Sequence, residues 1–152
     1  LAAFDGILRA HAVSDGAFVE EAAKARQTGD LEAADRIRTA WDVNENAYFL
    51  MLFARFEDMA KKAVADRVER ALTASGLTLA PDQVAQLLHK VDWPQRLALL
   101  TDWIGTDNHR VLRDWNRDRN RIAHGALLDE RPNVVLAAEL FRSVATRLQD
   151  TP

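Results

Sequence analysis

The chain has 152 residues, 48% of them hydrophobic and 28% charged, with a formal net charge of -3 and no cysteine. That length and balance fit one soluble globular domain with a substantial core, and the lack of cysteine excludes disulfides and thiolate metal sites. The net acidity argues against nucleic-acid binding driven by global charge, so any basic site must be local.

Nearly every segment repeats apolar residues at helical spacing, and no sustained alternation between hairpin turns suggests a strand. The expected class is all-α, an antiparallel helical bundle. The first helix begins at Leu1 with Phe4, Ile7 and Leu8. A break or kink is expected at Ser14-Asp15-Gly16 before Phe18, Val19 and Ala22 resume the pattern. Gly29-Asp30 reads as a helix stop followed by a fresh N-cap, and Leu31, Ala34, Ile37 and Trp41 continue the next helix. The segment from about Asn44 to Ser75 is the strongest helix. Its stretch Ala47-Tyr48-Phe49-Leu50-Met51-Leu52-Phe53 is apolar on all sides, as in a helix buried within a bundle. Gly76 and Pro81 mark a connection, and Pro81 and Pro94 each sit near the start of a short helix, where a missing N–H costs little. Gly105-Thr106-Asp107 closes one helix and opens another that runs to His124-Gly125. Pro132 opens the last helix, with Leu136, Leu140, Val144 and Leu148 at intervals of four. One domain over 1–152 is expected, with 1–43 as an N-terminal helical extension and 44–149 as the helical core.

No apolar run approaches the ~20 residues needed to cross a bilayer, so no membrane association is expected. The first residues lack a basic stretch followed by an apolar one, so no secretory signal is expected and a cytoplasmic location is the default.

The informative segment precedes Gly125. Residues 107–124 hold five arginines against three aspartates, a net +2 in an otherwise acidic chain. At about 100° per residue, Arg113, Arg117, Arg121 and His124 all fall within about 60° of Arg110 on the helical wheel. Val111, Leu112, Trp115 and Ile122 form the opposite, buried face. Arg119 falls among them at about 180°, about 140° from His124. A guanidinium on an apolar stripe is costly unless paired. Glu57, near the Phe53, Ala60 and Val64 stripe, is the expected partner in a structural ion pair. On an unbroken helix Arg119 and His124 cannot readily hold one phosphate. Either the helix ends before His124, or a second copy of the chain completes the site.

An always-charged phosphate binder beside an imidazole that titrates near neutral pH can cleave a phosphodiester without a metal. The run Arg119-Asn120-Arg121-Ile122-Ala123-His124-Gly125 resembles the Arg-x(4–6)-His motif of HEPN domains, in which Asn, Asp or His commonly follows the arginine and Gly often follows the histidine. The apolar helix from Ala47 to Asp58 is similar to one that many bacterial members carry upstream, and the resemblance covers about 44–149. It implies a metal-independent endoribonuclease without a cofactor, usually a homodimer, often a toxin or defence component. His124 would then be the acid/base, Arg119 the phosphate contact and Asn120 an orienting group, with Arg113, Arg117 and Arg121 contacting RNA. Arg117 also satisfies the motif spacing. A protein antitoxin or a nucleotidyltransferase is the expected kind of partner.

Plainer readings stand beside these. His124 and Gly125 can simply close a helix, and the arginine row can be a solvated face bridged to Asp107, Asp114 and Asp118. The chain can equally be a non-catalytic HEPN-like module binding a nucleotide, RNA or protein, or a purely structural interaction domain. His11, His89 and His109 read as isolated surface residues, and no His/Asp/Glu set has metal-ligand spacing, so no metal is expected. No serine or cysteine lies in a nucleophile elbow, and no glycine-rich phosphate loop is present. Trp41, Trp93, Trp103 and Trp115 read as core.

Overall fold

A computed structural model describes residues 2–150. Leu1, where the first helix was expected to begin, lies outside them. Six α-helices pack together, and no strand occurs among the described residues: α1 (Ala2–Thr28), α2 (Leu31–Ala74), α3 (Pro81–His89), α4 (Trp93–Ile104), α5 (Thr106–Ala123) and α6 (Val134–Asp150). No described helix is long and apolar enough to cross a membrane.

The boundaries follow local chemistry. Gly29 takes φ +67°, and Asp30 Oδ1 accepts from Ala33 N–H at 2.8 Å to cap α2. Asp92 caps α4 by accepting from Gln95 N–H at 2.9 Å, ahead of Pro94. At α6 the cap is Asn133, whose Oδ1 accepts from Leu136 N–H at 2.9 Å; Pro132 lies just outside the helix.

Two expectations about continuity are corrected. No break occurs at Ser14-Asp15-Gly16, because α1 runs through it. Ser14 Oγ accepts from Asn44 Nδ2 at 3.1 Å, and Asp15 Oδ1 accepts from Trp41 Nε1–H at 2.9 Å, so contacts to α2 carry the helix past a glycine that costs only about 1 kcal/mol. The segments before and after Asn44 are one helix of 44 residues, about 66 Å long at 1.5 Å per residue. No glycine or proline interrupts it between Gly29 and Gly76. α1 folds back antiparallel along its first half, as the pairs Phe18–Trp41, Ser14–Asn44 and His11–Glu45 show.

The core forms where α2 meets α6, α4 and α5. Phe49, Leu52, Phe53, Phe56, Ala60 and Val64 of α2 are buried against Val134, Ala137, Ala138, Phe141, Val144 and Ala145 of α6, with Leu97, Leu100, Ile104, Leu112 and the α1 residue Phe4. Phe141 is the hub, its ring centroid 4.8 Å from Phe56, 5.3 Å from Trp115 and 5.7 Å from Phe53. Arg142 pairs with Asp5 and ties α6 to α1.

The stretch from Ala47 to Phe53 is not buried on all sides. Ala47 and Met51 face outward, while Phe49, Leu52 and Phe53 point into the core. In α6 one member of the expected stripe is corrected: Leu136 is 54% exposed, whereas Val144 and Leu148 are buried and Leu140 packs on the core, beside Val134, Ala137 and Phe141. Trp93, Trp103 and Trp115 pack on the core, but Trp41 stands apart from it, between Phe18 and the Arg131 guanidinium 4.3 Å from its ring.

Candidate functional site at the end of α5

α5 begins after Gly105, whose φ of +81° turns the chain out of α4. Leu112 is fully buried, and Trp115 and Ile122 pack on the core, which orients the rest of the helix. Arg110, Arg113, Arg117 and Arg121 consequently lie on the exposed side. They meet Asp107 at 3.5 Å, Asp114 at 3.7 and 2.8 Å, and Asp129 of the following loop at 3.3 Å. Asp118, expected as a bridge, takes no part. Exposed pairs of this kind contribute about 0–1 kcal/mol.

Arg119 points the other way, toward α2. Its Nη2 donates to Glu57 Oε2 at 3.1 Å and its Nη1 donates to Asn120 Oδ1 at 2.8 Å. The guanidinium carbon lies 6.0 Å from the Phe53 ring centroid. Glu57 is shared, since Lys61 Nζ reaches its other oxygen at 3.1 Å. Two cations thus face one carboxylate, leaving a local excess of one positive charge. The pair is less enclosed than an apolar stripe implied, because the Arg119 side chain remains 36% exposed. Glu57 holds Arg119 to the scaffold, and Asn120 fixes its planar fork from the side.

His124 occupies the C-cap. Its backbone N–H donates to Asn120 O at 3.1 Å and Arg121 O at 3.2 Å, so it keeps the phase of the last turn. Gly125, at φ +87°, reverses the chain, and Ala126 N–H donates back to Arg121 O at 3.0 Å. The capping role and an available imidazole coexist, because the backbone does the capping. The side chain is exposed and makes no hydrogen bond or ion pair among the described residues. Ending the helix at Ala123 does not bring His124 to Arg119, and no hydrogen bond joins the two side chains. An open apolar groove of about 380 Å³ runs beside this turn, lined by Val43, Ala47 and Leu50 of α2 and by Ile122, Gly125 and Leu127.

A second constellation escaped the linear reading. His11 is not an isolated surface residue: it is 93% buried, its Nε2 lies 2.7 Å from Glu45 Oε1, and its ring meets Tyr48 edge-on at 5.2 Å. One ligand-type atom from each of His11, Asp15 and Glu45 lies within 4.8 Å of the others. Two of the three, His11 and Asp15, stand four residues apart, the one local signal that could have pointed to the set. Glu45 arrives through the α1–α2 hairpin. His89 is exposed and His109 half-buried.

Among known proteins, the chain matches no family model, no curated protein and no solved structure.

Proposed function

We propose that the chain is an RNA-cleaving domain of the HEPN type, in which His124 exchanges protons and Arg119, oriented by Asn120, offsets charge on the phosphate. The observation that carries this reading is the pairing at the end of α5. A guanidinium anchored by Glu57 and Asn120 lies within the last turns before an exposed imidazole that has no hydrogen-bond or ion-pair partner among the described residues. The exposed row of Arg113, Arg117 and Arg121 supplies contacts for a polyanion along the same helix.

The reaction needs no metal of its own. The ribose 2′-oxygen attacks the adjacent phosphorus and gives up its proton, the bond to the 5′-oxygen breaks, and that oxygen takes a proton. A 2′,3′-cyclic phosphate and a 5′-hydroxyl result. One imidazole cannot be base and acid at the same instant, and one chain holds Arg119 and His124 apart. A two-fold homodimer removes both difficulties by placing two His124 side chains at one cleft. The exposed apolar residues Val43 and Ala47 of α2, beside the His124 turn, and Met51 one turn further along the helix are a suitable seam. A protein antitoxin or nucleotidyltransferase partner belongs to the same reading.

Incubation of single-stranded RNA with the purified protein tests it. Cleavage should leave 2′,3′-cyclic phosphate ends, and His124→Ala should reduce the rate by about 10²–10⁴-fold, the usual size of a general acid–base contribution. Intact RNA, or full activity in His124→Ala, rejects catalysis. A second reading, a non-catalytic module that binds RNA or a nucleotide, is favoured by one observation: Arg119 already spends both Nη groups on Glu57 and Asn120. Binding that is lost with Arg117→Ala yet kept in His124→Ala, without turnover, identifies that case.

A further inference from the structure

The His11, Asp15 and Glu45 cluster has no part in the reading above, and its chemistry is that of a metal site. His11 and Asp15 are four residues apart on α1, one turn on the same face. Glu45 comes from α2 across the hairpin. His11 and Glu45 are more than nine-tenths buried, while Asp15 is half-buried at the rim of a cleft of about 290 Å³ bounded by Trp41, Arg131 and the start of α6. We propose that the chain binds one divalent first-row transition metal ion here, Zn²⁺ being the best match, as a clip between α1 and α2.

Charge supports this first. Two carboxylates converge on one imidazole, so the cluster carries a net negative charge even when His11 is protonated. Arg131, the cation lining the same cleft, is committed to Asp42 at 2.7 Å. Burying uncompensated carboxylate is costly, and a divalent cation relieves it.

Geometry supports it second. Ligands held at about 2.0–2.2 Å from zinc stand about 3.3–3.6 Å apart in a tetrahedron. The 2.7 Å His11–Glu45 contact therefore only has to open slightly, and Asp15 has to swing inward from within 4.8 Å. Trp41 Nε1–H, donating to Asp15 Oδ1 at 2.9 Å, is placed to hold that carboxylate from behind while its other oxygen ligates. One imidazole with two carboxylates suits Zn²⁺ and its neighbours. Mg²⁺ and Ca²⁺ prefer sets made of oxygen alone. The fourth position opens to the cleft for water.

The site stands about 18 Å along α2 from Glu57, at 1.5 Å per residue, so the ion is not an element of the α5 chemistry. Its expected effect is to lock the antiparallel hairpin.

The test is calorimetric titration of the chelator-treated full chain with zinc chloride, with Co²⁺ absorption as an independent report of coordination. One ion per chain is expected, together with a melting temperature that rises with added Zn²⁺. Asp15→Asn keeps the shape and sits at the rim, so it should stay folded by circular dichroism. Because groups that merely support metal ligands carry about 10- to 100-fold in affinity, loss of this ligand should weaken binding by at least that much. Glu45→Gln should do the same. If it unfolds, Asp15→Asn decides. Absence of Zn²⁺ binding, equal affinity in wild type and Asp15→Asn, or Mg²⁺ binding as tightly as Zn²⁺ would overturn the proposal and leave a plain buried His11–Glu45 hydrogen bond.

Discussion

Arg119 of α5 reaches 3.1 Å across the helix interface to Glu57 of α2, sixty-two positions earlier, and that contact ties the end of α5 to α2. Full enclosure would make loss of Glu57 cost about 3–5 kcal/mol by stranding a buried charge. Here the Arg119 side chain is 36% exposed and Asn120 also accepts from it, so water can replace the carboxylate. Glu57→Ala is therefore expected to cost about 1–2 kcal/mol, between the exposed and buried limits. Urea unfolding of Glu57→Ala, Arg119→Ala and the double variant would give the coupling. A coupling near zero would show that the contact orders nothing.

Phe141 is fully buried at the meeting point of rings from α1, α2 and α5. Phe141→Ala should destabilise the domain by about 3–5 kcal/mol, through lost burial and the void left among neighbours that cannot all collapse. Leu136→Ala, on the exposed side of the same helix, should change stability by less than about 0.5 kcal/mol. Equal effects at the two positions would contradict the exposure of Leu136.

Gly125 has open space where a Cβ would stand, so the only obstacle to a side chain is its φ of +87°. Gly125→Ala should cost about 1–2 kcal/mol for forcing an L-residue into that conformation. On the proposed catalytic reading, displacing the turn next to His124 should lower RNA cleavage beyond the loss of folded protein. Activity rates at a temperature where the variant is fully folded separate the two effects.

The arginine row is expected to act through phosphate contacts. Arg117→Ala should weaken RNA binding about equally for all sequences and reduce the dependence of log K on log salt by about one phosphate contact. Its present partner, Asp114 at 2.8 Å, is an exposed pair, so folding stability should hardly change. An unchanged salt slope would remove Arg117 from the interface.

Assembly gives a further check. Val43, Ala47 and Met51 leave an apolar stripe on α2 facing solvent, with Met51 51% exposed. Light scattering at micromolar concentration should find a dimer in the wild type and a monomer in Met51→Asp, since a buried unpaired carboxylate at the seam is costly. A monomeric wild type would withdraw the shared-cleft form of the catalytic reading.

Much of the architecture could be read locally. Gly29-Asp30, Gly76, Pro81, Pro94, Gly105 and Gly125 act on the backbone within one turn of themselves, and each marks a boundary in the structure. The wheel of α5 was legible for the same reason: with Leu112, Trp115 and Ile122 facing inward, helical geometry alone places four arginines on the opposite side. Arg119 was conspicuous because a charge on an apolar stripe demands a partner, and Glu57 was the carboxylate on the matching stripe of another helix.

What depends on register between helices was not legible. Gly16 looks like a break until Trp41 is known to bond Asp15 across the hairpin. In α6, spacing alone puts Leu136 in one stripe with Leu140, Val144 and Leu148, and only packing leaves Leu136 outside while Val134 and Ala137 are buried. His11 is unremarkable in a linear reading, since Glu45 is thirty-four positions away and nothing local to either residue announces the other. Most helix ends are decided by interactions within four residues, which the sequence states directly. Which faces meet, and which polar groups are thereby shut in together, is decided by how whole helices pack, and that exists only once the chain has folded.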